Sequence, residues 1–87
     1  MADMVNCLSR YYKCRDAIAG MPQSKEKIDL QKMYNALGSV QKDVNNFWIE
    51  CRRMQKITAQ YQASVEKFDN LLTNLEHYIT LAYLTKG

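Results

Sequence analysis

The sequence predicts an all-α protein, and three observations carry that prediction. The first is a stripe running from Leu30 to Ala82 in alternating steps of three and four: Leu30, Met33, Leu37, Val40, Val44, Phe47, Cys51, Met54, Thr58, Tyr61, Val65, Phe68, Leu72, Leu75, Ile79, Ala82. Only Thr58 is polar, and the phase never slips. Sustained over roughly seven heptads, that is the pattern of a coiled-coil seam. The second is a shorter stripe of the same spacing, Met4, Cys7, Tyr11, Cys14 and Ile18, near the start of the chain. The third is an absence of β signals. One proline and three glycines leave few turns, and no alternating apolar–polar run is bounded by turn residues.

The first helix is expected from about residue 2 to Ala19. Leu8 widens its apolar face on one flank, and Val5, Tyr12 and Ala19 on the other. Asn6, Ser9, Arg10, Lys13 and Asp16 fall on the opposite side, so the helix is amphipathic. Asp3 sits where a negative charge suits the helix dipole.

Gly20-Met21-Pro22-Gln23 is the clear break. Gly20 fits the position just past a helix, where a left-handed backbone is common. Pro22 lacks an N–H and disfavours helical geometry at Met21. Ser24 then reads as the N-cap of the next helix.

From about Lys25 to Leu84 the favoured reading is one unbroken helix, about 90 Å long at 1.5 Å per residue. Gly38-Ser39, Asn45-Asn46 and Asp69-Asn70 are weak helix points, yet none disturbs the seam. Breaks near Asn45 and Asp69 would instead give a compact four-helix bundle, and a single break near Asn45 a hairpin. In each case residues 1–87 form one helical domain.

Composition narrows the function. The 47% apolar and 24% charged fractions suit a folded chain, and the net charge of +3 is too mild for a dedicated nucleic-acid binder. Arg52, Arg53 and Lys56, with Lys42 and Lys67, make only a modest basic stripe. The start, Met1-Ala2-Asp3-Met4, has neither the basic region of a signal peptide nor a myristoylation glycine, and Lys86-Gly87 is no prenylation box. No apolar run is long enough for membrane insertion. Cys7, Cys14 and Cys51 lie on apolar stripes without metal-ligand spacing, so they read as reduced thiols in a cytoplasmic protein. No nucleophile–base pair accompanies the carboxylates Glu66, Asp69 and Glu76. His77, the one histidine, falls on an outward position. No enzyme activity, cofactor or metal is expected.

Helix lengths turn this build into a functional expectation. A first helix of about 27 Å covers only a third of a 90 Å partner. The remaining seam then needs helices from other chains, because so long an exposed apolar stripe is rare on monomers. The expected interface is Phe47, Trp48, Met54, Tyr61, Val65, Phe68, Leu72, Leu75, Tyr78, Ile79 and Tyr83. Trp48 is singled out because tryptophan is favoured at interface hot spots. Asp43, Glu50, Asp69 and Glu76 flank the seam without matching lysines, which favours a hetero-oligomer over a homo-oligomer.

In build the chain resembles small coiled-coil subunits of multi-subunit scaffolds, and no motif assigns a family. The expected function is a non-enzymatic protein–protein interaction subunit, a coiled-coil assembly or adaptor component of a larger helical complex. Its alternative is a small phage- or bacterium-encoded inhibitor or secretion chaperone that binds one protein target. Weak nucleic-acid binding comes third.

Overall fold

The computed structural model describes residues 3–84, which form three α-helices and no strand. The expected start at Ala2, and with it Met1 and Lys86-Gly87 of the terminal motifs, lies outside the described residues. Helix α1 spans Met4–Ala19. Asp3 is its N-cap, and one carboxylate oxygen accepts from the Val5 N–H at 3.1 Å. The helix closes in a right-handed turn. Gly20 has φ −78°, and the Met21 N–H donates to the Ile18 carbonyl at 3.1 Å. The left-handed glycine expected there is not used.

Helix α2 spans Lys25–Met54 and starts at the expected cap, with Ser24 Oγ accepting from the Lys27 N–H at 3.2 Å. Lys27 Nζ reaches back to the Met21 carbonyl at 3.1 Å, tying the helix start to the end of the preceding turn. The helix passes through Gly38-Ser39 and Asn45-Asn46 without a break. Gly38 is half-buried rather than outward, close under the Tyr11 hydroxyl.

The single long helix is overturned at Gln55. There φ is +55°, the Gln55 N–H donates to Arg52 O at 3.3 Å, and the Lys56 N–H donates to Cys51 O at 3.1 Å. This bond pair is a Schellman ending, built here on glutamine instead of glycine. Thr58 then caps helix α3, Ala59–Leu84, by accepting from the Tyr61 N–H at 3.1 Å. The Thr58 N–H also lies 3.4 Å from the Cys51 sulfur, which pins the turn to the last buried residue of α2. Breaks near Asn45 and Asp69 are absent, so the four-helix bundle does not form, whereas the single-break hairpin does, with its break at Gln55 instead of near Asn45.

The result is an antiparallel α2–α3 hairpin with α1 lying along one side. Met4 meets Tyr61, Arg10 meets Asp69 and Glu76, and Ala17 meets Tyr83, so α1 runs parallel to α3. The core takes Cys7, Tyr11, Cys14 and Ile18 from α1, and Leu30, Leu37, Val44 and Cys51 from α2. Helix α3 adds Val65, Phe68, Leu72, Leu75 and Ile79. The described chain measures 50 × 20 × 15 Å, about half the length of the expected rod.

Candidate docking face between α2 and α3

The structure divides the expected interface residues into three groups. Val65, Phe68, Leu72, Leu75 and Ile79 are core, covered by the chain's own α1 and α2. The premise that this half of the seam lacks an internal partner therefore fails, because the turn at Gln55 folds α3 back and supplies one. Phe47 and Tyr61 are half-buried. Trp48, Met54, Tyr78 and Tyr83 remain exposed.

The exposed residues do not share one surface. Trp48 tilts against Tyr61 at 5.5 Å, and the Tyr61 hydroxyl reaches the Met4 sulfur, so this corner belongs to the α1 side. Tyr83 donates its hydroxyl to the Ala17 carbonyl at 2.8 Å, capping the end of α1. Tyr78 points the other way, into a groove between α2 and α3 that no residue of α1 lines.

That groove is an apolar surface the fold leaves open. Leu30, Met33, Tyr78, Leu81 and Ala82 line a hollow of about 380 Å³, with Glu26 and Asp29 at its rim. A second hollow of about 230 Å³ adjoins it, lined by Ala36, Leu37, Leu71, Asn74 and Leu75 and sharing Met33 and Tyr78. Helical spacing explains the alignment. Met33 belongs to a row on α2 that Val40, Phe47 and Met54 continue every seven residues beyond the hollows, and Leu71 and Tyr78 lie seven apart on α3. The α2 residues that point straight into the hairpin, Leu30, Leu37, Val44 and Cys51, are buried. Met33, Val40 and Phe47, in the neighbouring row, are half-buried because nothing lies over them.

The acids and bases sort differently from expectation. Two of the unmatched acids, Asp69 and Glu76, find their cation within the chain. Arg10 holds Glu76 through two bonds, Nε–Oε2 at 3.1 Å and Nη2–Oε1 at 2.8 Å. Its Nη1 bonds Asp69, and Nη2 also donates to Thr73 Oγ1 at 3.1 Å. These hydrogen bonds, first to Glu76 and then to Asp69, push the guanidinium pKa further above its already high range. Spacing alone puts Arg10 on the outward face of the first helix, and the one signal for its partners is the run of acids on α3. Arg52, Arg53 and Lys56 stand at the C-terminal end of α2, where positive charge suits the helix dipole, and Arg53 pairs with Glu50 at 3.3 Å. His77 is exposed.

Cys7, Cys14 and Cys51 are buried free thiols. Burial pushes the Cys7 thiol up and raises Cys14 from 9.0 to about 11. Burial also raises the Tyr34 and Tyr61 phenols. Each of these groups binds its proton more tightly when folded. Their stabilisation is complete below the unfolded-state pKa and is lost as pH rises towards the folded value. The melting temperature is therefore expected to fall between pH 9 and pH 11, and Cys14→Ala to fall less steeply over that window. Parallel slopes in differential scanning fluorimetry would contradict the assignment to Cys14.

Among the described residues, no three His, Cys, Asp or Glu side chains gather as metal ligands do, and no helix is long and apolar enough to cross a membrane. Compared with protein families, curated proteins and solved structures, the chain matches none.

Proposed function

We propose that this chain is a non-enzymatic protein-binding module whose working surface is the open α2–α3 groove. The observation that carries this reading is the groove itself: two adjoining apolar hollows, presented by two long helices and left uncovered by the third. Apolar troughs between parallel ridges of side chains are the natural seat of an amphipathic helix.

The coiled-coil adaptor reading is kept in modified form. The seam is largely spent on the intramolecular hairpin, and the partner helix belongs in the groove beside it. A second reading, a compact inhibitor or chaperone binding one target, gains support from the 50 Å length of the molecule. Both readings use the same surface.

Site-specific photo-crosslinking in the source cells tests the proposal. A photoreactive phenylalanine analogue at Tyr78, in the groove, is expected to give one recurring protein adduct. The same probe at Asn46, exposed on the far side of α2, is expected to give none. Equal labelling from the two positions would refute the reading.

A further inference from the structure

Resting on that reading, we propose that the groove's occupant is an amphipathic helix of a different protein that carries lysines or arginines along one flank. The charge beside the groove points to it. Asp29 and Ala36 border the hollows, and Asp43 and Glu50 continue their seven-residue row along α2 beyond them, next to the apolar row of Met33, Val40, Phe47 and Met54. Asp29, Asp43 and Glu50 are all exposed. Among the described residues Asp29 and Asp43 form no ion pair, and Glu50 meets only Arg53 of its own helix. Glu26 adds a fourth acid at the groove's rim.

A helix seated in the groove would lay one flank along this row. In paired helices the residues flanking the apolar seam set partner choice through charge. The acids therefore call for a basic flank. The opposite bank, on α3, carries Lys67, Asn74 and Leu81 at the same spacing and makes no matching demand. The occupant's charge is asymmetric, which also fixes its direction in the groove.

The same row argues against a second copy of this chain. Two copies meeting groove to groove bring the acidic row against either its own duplicate or the α3 row, which offers one cation, Lys67. Neither neutralises it.

Two synthetic helical peptides decide the matter. Each has leucines at the seam positions; one carries lysines along a flank, and its twin carries glutamates there. Fluorescence anisotropy against the full chain is expected to show the lysine peptide binding close to tenfold more tightly, at about twofold per exposed pair. The gap should shrink as salt is added. The variant Asp29→Lys/Asp43→Lys/Glu50→Lys should reverse the preference, with helical circular dichroism unchanged because all three side chains are exposed. Equal affinities, binding of neither peptide, or a dimer in sedimentation without peptide would overturn the proposal. The cross-linking experiment separates the two readings. An adduct at Tyr78 whose partner helix lacks a basic flank defeats this inference and leaves the binding function standing.

Discussion

Phe68→Ala is expected to bring the protein to the edge of unfolding. Phe68 is fully buried, and its ring meets Tyr11 edge-on at 5.5 Å. Tyr11 in turn stacks on Tyr34 of α2 at 4.3 Å, so the three rings join all three helices. Truncation to alanine removes the ring's transfer energy and leaves a cavity between helices that cannot all close on it. The cost in buried sites is about 3–5 kcal/mol. A chain of this size has about 4–13 kcal/mol in total. Urea denaturation followed at 222 nm should show the midpoint collapse, while Phe68→Leu keeps most of the volume and costs about 1 kcal/mol. A loss below about 1 kcal/mol for the alanine variant would mean that the three helices do not meet at this ring.

Arg10→Met is expected to loosen α1 from the hairpin. The substitution keeps most of the aliphatic stem and deletes the charge, leaving Asp69 and Glu76 facing each other without a cation. The Arg10 side chain is 23% exposed and its acids 34% and 39%, so solvent screens part of the interaction. The expected loss is about 1–2 kcal/mol, above an ordinary surface pair because the contact is bidentate and shared by two acids. Arg10→Lys should recover only part of it, since an ammonium cannot span both Glu76 oxygens and Asp69 in one plane. Limited proteolysis near Pro22 gives the direct readout: α1 should be released faster from Arg10→Met than from the parent. A double-mutant cycle of Arg10→Met with Glu76→Gln showing no coupling would reject the bridge.

The sequence made the helical class, the Ser24 cap and the heptad rows legible because each depends on local chemistry. Ser24 needs only the N–H of Lys27, three residues away. The break at Gln55 was hidden for two physical reasons. The left-handed residue is glutamine, so the usual glycine flag is missing. The turn also keeps Cys51, Thr58 and Val65 at seven-residue intervals, so the apolar phase crosses it unchanged. Thr58 was the visible sign, as the single polar residue in the seam and a good N-cap type. The groove was half legible. Leu30, Met33, Leu37, Leu75, Tyr78 and Ala82 could be named from spacing, whereas Ala36 and Asn74 join them only once α3 lies against α2. Arg10 could not be placed, because its partners Asp69 and Glu76 lie 59 and 66 residues downstream.

Those separations also order events during synthesis. Helix α1 is made first, but its main neighbour, α3, is made last. The chain must add some sixty residues before Asp69 exists to receive Arg10, roughly 3–12 s at 5–20 residues per second. For that interval the face bearing Cys7, Tyr11, Cys14 and Ile18 has no completed hairpin to rest on. Of the three helices, the one made earliest waits longest for its neighbour.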